Sequence, residues 1–364
     1  MNKNVIIAFL GNAKFDARCI NMANSLFNHG YRVIIIDELG YSEESLESNR
    51  FTIFHIKAKL KNGIKRYWNF YWEVKKINNQ IKPDIFIAAD LFSLRALSKL
   101  NKNCLKIYDC REIYSELASL AHKPLKQLFW TYYEKINYKY IDKVLVTAKK
   151  DKEFLISKYG LKDINLILNF PNIKNKKSMI NLRKKFKIAE NNKIFLYQGV
   201  IQVGRGIEQM IRLLHHFDDC VICILGDGEH KKKIVQLANK LNVSNRVFFT
   251  GKIPYAELIS VSKQADIGFS LIQPLSKSYK QALPNKLFEY GLSGIPTLAS
   301  NFSEMKSYIV RFKLGVAVVP DNINDHINAI YKLLKWNDSR LLINTIRNNC
   351  SWDSQEQKFI DLFS

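Results

Sequence analysis

The chain has 364 residues, 47% hydrophobic and 24% charged, a balance that excludes a disordered polymer and suits two globular domains. With 56 lysines and arginines against 33 acids it carries +23, so an anionic partner is expected: nucleic acid, a phosphorylated ligand or an acidic membrane surface. No apolar run approaches the roughly 20 residues that span a bilayer. The opening MNKNVIIAFLG is short for a signal peptide and runs into Asn12, Lys14 and Asp16 without a small-residue cleavage site. It reads as a buried first strand of a cytosolic protein. Cys19, Cys104, Cys110, Cys220, Cys223 and Cys350 show no disulfide framework. Cys220 and Cys223 fall in the strand-like DDCVICILG, where a spacing of three sends side chains to opposite faces. They read as core thiols, and no metal site is expected.

Along the chain, short apolar runs alternate with longer amphipathic stretches, the pattern of parallel α/β sheets. VIIAFLG is followed by a helix near 16–29, then by the strand YRVIIIDEL. DIFIAAD (84–90), a helix through LFSLRALSKL, LKIYDC (105–110), DKVLVTA (142–148) and LILNF (166–170) complete the first half. Residues 171–192 are polar and lysine-rich and read as a linker with one short helix. The pattern restarts with KIFLYQG (193–199), a helix through IEQMIRLLHHF, VICILGDGE (221–229) and a helix KKKIVQLANKL. RVFFTGKI, a helix around YAELISVSKQ and ADIGFSLI lead to QALPNKLFEYGLSGIPTLAS (281–300), then to VAVVP (316–320) and a helix from 324 to 335. Two sheets joined by a linker predict a cleft lined by the carboxyl ends of strands.

Two segments of the first half are basic and aromatic. Residues 57–82 hold eight lysines or arginines against Glu73 alone, with Tyr67, Phe70, Tyr71, Val74 and Ile77 on one helical stripe flanked by Trp68 and Trp72. Residues 122–143 interleave Lys123, Lys126, Lys135 and Lys139 with Leu125, Phe129, Trp130, Tyr132, Tyr133 and Ile136. Each suits either a core-facing helix with a lysine-rich outer face or an amphipathic helix on anionic lipid. Their pairing, with the overall charge, favours membrane-surface contact.

Three strand-following loops of the second half carry the chemistry. In QGVIQVGRGIEQ, Gly199, Gly204 and Gly206 permit close backbone approach, and Arg205 precedes a helix N-terminus that favours anions. Gln209 stands where a dinucleotide fingerprint needs its third glycine, so a Rossmann cofactor site is not expected. LGDGEHKKK places Gly226 and Gly228 in a tight turn. In the third loop Pro284 suits a first helical turn. Leu287, Phe288, Gly291 and Leu292 form an apolar stripe, while Asn285, Lys286 and Glu289 cluster opposite it on a face that could also be merely solvated.

Together these loops resemble the retaining glycosyltransferases of family 4, which have the GT-B fold of two facing Rossmann-like domains. The matching residues are Gly199 with Arg205 and Gly206, Gly226-Asp227-Gly228, VFFTGKI with Gly251, ADIGFSL with Asp266, and above all PNKLFEYGLSGIPTLAS. DARCINMANSLFNHGYRV, PDIFIAAD, YDCREIY, DKVLVTA and LILNFPN support it, and SWDSQEQ is similar to the closing helix that returns to the first domain. The resemblance implies that Glu289 accepts hydrogen bonds from the ribose of a nucleotide sugar and that Arg205 faces its diphosphate. Two positions depart from the family: Gln281 replaces the first of paired glutamates, and Val200 replaces an arginine at the phosphate.

The expected architecture is α/β, two Rossmann-like domains with parallel sheets facing a central cleft. Its N-terminal domain is 1–172, with a helix at about 350–364 packing back on it, and its C-terminal domain is 190–349. The expected donor site is Gly11, Gly199, Gly206, Gly228, Gln281, Asn285 and Glu289, with Arg205, Lys286 and Arg111 as the catalytic group. Asp109 and Glu112 belong to the acceptor side, although a buried Arg111–Glu112 pair would hold the same loop. Asp90 reads as structural, and His215, His216 and His230 receive no role. The expected partners are a UDP-sugar, a glycan or lipid-linked acceptor of a surface polysaccharide, and the inner face of the plasma membrane. No cofactor or metal is expected, since no acidic DxD-like pair ends a strand. A sugar-nucleotide epimerase or phosphorylase of the same fold would need acid–base groups around the sugar, which Gln281 weakens. A basic nucleic-acid-binding protein would explain the charge but not the three glycine loops.

Overall fold

The structure, a computed structural model, describes residues 3–40, 45, 47–57, 63–117, 120, 123–173 and 177–363. The chain divides into two compact units, Met1–Asn169 with Gln355–Ser364, and Phe170–Ser354.

In the first unit, strands β1 (Asn4–Ala8), β2 (Arg32–Leu39), β3 (Thr52–Lys57), β4 (Ile85–Ala88), β5 (Leu105–Cys110), β6 (Lys143–Val146) and β7 (Ile164–Leu166) pair in the order β3-β2-β1-β4-β5-β6-β7. Every pairing is parallel. A parallel sheet covered on both faces demands continuous apolar strands, and Val5, Ile6, Ile7 and Ala8 are all fully buried. β3 was not anticipated: it is an edge strand in which only Ile56 is buried, so its run TIFHIK lacks that signal. β7 ends at Leu166 instead of beginning there. The Arg18 guanidinium takes the carbonyls of Ile167 and Leu168, at 2.7 and 3.4 Å, and the ladder stops. The helix expected through LFSLRALSKL is a 3-10 helix, Leu94–Lys99. Asp90 shapes its approach, its Oδ1 accepting from the Ser93 amide and hydroxyl at 2.7 Å each. The helix expected near 16–29 is Ala17–Asn28, capped by Asp16, whose carboxylate accepts from the Cys19 amide at 2.7 Å.

In the second unit, β8 (Lys193–Gln198), β9 (Cys220–Leu225), β10 (Val247–Gly251), β11 (Ile267–Ser270), β12 (Thr297–Ser300) and β13 (Gly315–Val318) pair in the parallel order β10-β9-β8-β11-β12-β13. Cys220 packs in the core on one face of this sheet and Cys223 in the core on the other. The stretch read as a linker belongs to this unit, apart from residues 174–176, which lie outside the described residues. Its helix Leu182–Phe186 is docked because Leu182 and Ile188 are buried with Ile194, Leu196 and Tyr290.

Residues 339–349 form a helix of the second unit, and only from Gln355 does the chain join the first. There the Gln355 amide exchanges two hydrogen bonds with the Leu168 backbone, at 2.6 and 2.9 Å. Phe359 of the short helix Glu356–Ile360 is fully buried. Among the described residues no helix is long and apolar enough to cross a membrane. Each sheet reverses its order once, between β1 and β4 and between β8 and β11. Such reversals open a crevice outside the carboxyl ends of the strands.

Candidate active site

In the second unit the reversal point is filled by the helix Lys286–Leu292, all seven residues of which are buried. The helix starts two residues later than Pro284 suggested. Asn285 is its N-cap, and the Asn285 carbonyl accepts from the Phe288 and Glu289 amides at 2.9 and 3.0 Å. Tyr290 anchors it to the sheet: its hydroxyl lies 3.1 Å from the Gln198 amide and 3.3 Å from the carbonyls of Leu196 and Phe269. Gly268 makes room, because a Cβ there would lie 2.3 Å from the Tyr290 ring.

Glu289 is therefore not on a solvated face; it is 6% exposed. Its Oε2 accepts a hydrogen bond from Gln198 Nε2, and Gln198 Oε1 accepts one from Ser262 Oγ at 2.8 Å. Burial pushes the Glu289 carboxyl up to about 7, against the opposing pull of the Gln198 hydrogen bond and of Lys286. Lys286 is 9% exposed, with its Nζ 3.8 Å from the centre of the Tyr197 ring. Burial, and then the neighbouring Arg205 charge, hold this amine well below the ordinary lysine value, while Glu289 pulls the other way. A Cβ on Gly199 would lie 3.7 Å from Lys286 Nζ. Lys286 thus reaches the loop where Val200, 61% exposed, replaces the expected arginine.

Arg205 stacks its guanidinium 4.8 Å over the Tyr279 ring. With the Gln202 amide oxygen assigned toward it, Gln202 accepts from Arg205 Nε and Nη2 at 2.8 and 2.6 Å. Gly206 must be glycine: φ is +76°, and a Cβ would lie 1.9 Å from the Leu271 carbonyl oxygen. Gly228 is equally constrained from within the fold, since its Cβ would meet the Ile201 carbonyl at 2.2 Å. His230, to which the sequence assigned nothing, ties the two loops together through Glu208, Nε2 to Oε1 at 2.5 Å. Gln281 ends the helix Lys277–Gln281 and is half-buried.

The first unit has its own charged cluster at the carboxyl ends of β1, β4 and β5. Asp109, assigned to the acceptor side from the sequence, is fully buried and committed to two guanidiniums. It accepts from Arg18 at 2.7–2.9 Å and from Arg111 Nε at 2.9 Å. Burial would raise this carboxyl, but Arg18 and Arg111 outweigh it and hold it below its ordinary value. Arg111 pairs with Asp16 at 2.6 Å as well and lies over the Phe9 ring at 4.9 Å. Its ion-pair partners include Asp109 and Asp16, and Glu112 is exposed. Burial opposes the Arg111 charge, yet Asp16 and Asp109 raise its pKa above the usual arginine value. Arg111 Nη2 is buried and makes no hydrogen bond among the described residues. A Cβ on Gly11 would lie 2.7 Å from the Phe9 ring, which explains the glycine by packing. Asp90 accepts from the Leu10 amide at 2.5 Å, joining the loops across the β1/β4 reversal.

Gln198, Ser262, Tyr197, Tyr279 and Arg18 were missed from sequence. The available signals were a glutamine closing an apolar strand ahead of a glycine, and a lone arginine in the first turn of a helix.

Residues 178–348 match the family described as glycosyl transferases group 1, and residues 17–174 match glycosyltransferase family 4. A glycosyltransferase of Methanocaldococcus jannaschii is 23% identical over 315 residues, 82% of this chain and 78% of its own length. Among solved structures, sucrose-phosphate synthase from Thermosynechococcus elongatus aligns with a TM-score of 0.80 at 16% identity, covering 100% of this chain and 98% of that one. Anabaena HepE, solved in complex with UDP and glucose, aligns with a TM-score of 0.75 at 13% identity, covering 100% and 99%. The two family matches cover the two halves in turn, and the chain belongs to the family 4 glycosyltransferases of GT-B fold.

Proposed function

We propose that the chain transfers a sugar from a nucleotide diphosphate, UDP in the first instance, to a hydroxyl of a glycan or lipid-linked acceptor with retention at the anomeric carbon. The observation that carries this reading is the buried Glu289 carboxylate, held by Gln198 at the sheet reversal with Lys286 and Arg205 alongside. A carboxylate offers paired acceptors to the adjacent hydroxyls of a ribose, at about 1.5–3 kcal/mol per charge-assisted bond. HepE, which shares the fold, holds UDP and glucose.

The bond from the anomeric carbon to the diphosphate oxygen breaks and a bond to the acceptor oxygen forms on the same face. The acceptor proton passes to the departing diphosphate, so no enzyme nucleophile is required. Arg205 and Lys286 stabilise the negative charge that develops on the diphosphate. An anion arriving beside the buried Lys286 amine favours its charged form and opposes the downward pull of burial. Arg111 of the first unit is the cation assigned to the acceptor. We assign the work to the cytoplasmic face of a membrane on the strength of the +23 charge and the basic helices.

The test is calorimetric titration of UDP and GDP into the protein and into Glu289→Ala. One nucleotide, expected to be UDP, binds at micromolar strength, and the variant loses about tenfold, roughly 1.4 kcal/mol. Equal binding to both proteins, or none to either, overturns the donor site.

A further inference from the structure

The first unit carries aromatic surface that its core does not absorb. On the helix Ile64–Ile81, Phe70, Val74 and Ile77 enter the core, but Trp68 and Trp72 are 52% and 55% exposed. On the helix Pro124–Asn137, Leu125, Leu128 and Phe129 are 81%, 65% and 51% exposed. Between these helices runs a groove of about 260 Å³, walled by Tyr67, Trp68, Tyr71, Phe129, Trp130 and, from the loop after β4, Phe92. Phe92 is the floor: it stacks on Tyr67 at 4.3 Å and meets Trp130 edge-on at 5.6 Å.

A ring contact joins the groove to the loop that follows β5. On its inner side Phe92 meets Tyr114 at 5.6 Å, and Tyr114 lies in the same loop as Arg111. Among the described residues Arg95 is the one charged side chain in the groove wall, and no carboxylate lines it. Lys65, Lys123 and Lys126 stand exposed at the amino-terminal ends of the same two helices.

We propose that this groove takes the aliphatic chain of a lipid-borne acceptor, an inference that rests on the glycosyl-transfer reading for the word acceptor but not for the chain. A wall built mainly of aromatic carbon, with one guanidinium, suits a hydrocarbon chain ending in a phosphate. Among the described residues the wall offers no carboxylate or amide of the kind that commonly holds glycan hydroxyls. The lysines at the helix ends match the anionic headgroups from which such a chain is drawn. The chain's polar end then emerges beside Tyr114, at the loop that carries Arg111.

The experiment uses the full chain and decyl phosphate below its micellar concentration, with butyl phosphate, inorganic phosphate and glucose as comparisons, read by tryptophan fluorescence and calorimetry. Decyl phosphate binds saturably and at least tenfold more tightly than butyl phosphate, while inorganic phosphate and glucose leave the signal unchanged. Trp68→Ser and Phe129→Ser, both at exposed positions, weaken decyl phosphate tenfold or more and leave UDP affinity unaltered. Leu341→Ser, at a 53% exposed site of the second unit, changes neither. Decyl phosphate binding no tighter than butyl phosphate, or unaffected by Trp68→Ser and Phe129→Ser, overturns the proposal. So does saturable glucose binding that displaces decyl phosphate, which would make the groove a sugar platform. Loss of UDP binding in the unaltered protein would remove the transfer reading and leave the groove standing.

Discussion

Replacing Gln198 by leucine isolates what holds the Glu289 carboxylate ready. Gln198 is 2% exposed, donates to Glu289 and accepts from Ser262, so leucine fills the space and removes both bonds. A hydrogen bond to a charged group contributes about 1.5–3 kcal/mol, which is roughly one to two pKa units. The Glu289 carboxyl, already raised to about 7 by burial, rises further by that amount. At neutral pH its ionised fraction falls from about half to about a tenth or less, and UDP affinity falls about five- to fifty-fold. The direction is fixed by the acid: on the proposed reading the ribose needs the carboxylate, so binding strengthens as pH climbs through the Glu289 value. In Gln198→Leu that rise comes one to two pH units later. Calorimetric UDP affinity against pH, in the unaltered protein, Gln198→Leu and Ser262→Ala, measures the displacement. A folded Gln198→Leu protein with the original profile would refute the idea that Gln198 tunes this group. The same shift makes Glu289 a burden on folding. Its favourable contribution is complete below the ordinary value of 4.5 and is lost as pH rises through about 7, roughly 3 kcal/mol in all.

Asp109→Asn strips the Arg18 and Arg111 guanidiniums of their shared anion and should lower stability by about 3–5 kcal/mol in urea unfolding. Because Asp109 is held below its ordinary value of 3.8, its contribution is present above that value and fades as pH falls beneath it. The variant's stability should thus converge on that of the unaltered protein in acid; a parallel gap at every pH would contradict this. Gly206→Ala forces a Cβ into left-handed backbone, costing roughly 1–2 kcal/mol, and against the Leu271 carbonyl as well. Melting temperature and UDP affinity should both drop, and an unchanged melting curve would show that the loop relaxes freely.

Most strands were legible because parallel sheets require unbroken apolar runs, and VIIA, VIII, IFIA and VICIL announce themselves. β3 escaped because an edge strand keeps one side wet, and its His55 and Lys57 dilute the run. The helix Lys286–Leu292 was legible for a different reason: a short run bounded by Pro284 and Gly294 concentrates Asn285, Lys286 and Glu289 where an ordinary surface helix would scatter them. Its environment was not. Gln198 and Glu289 are 91 residues apart, and so are Arg18 and Asp109. Such pairs leave no periodicity, and only the folded sheet brings their members within bonding distance. Burial of Lys286 was hidden for the same cause, since lysine in a first helical turn ordinarily means water.

The last ten residues belong to the first unit, although the whole second unit precedes them in the chain. Phe359 and Phe363 are buried there, and the Leu362 carbonyl accepts from Lys143 at 2.7 Å. During synthesis, then, the first half of the molecule waits. The 185 residues from Phe170 to Ser354 leave the ribosome and can close their sheet while the earlier sheet still has an open seat beside Leu168. Translation order and completion order are reversed, so a chain released a few residues early would carry a finished second unit and an unfinished first unit.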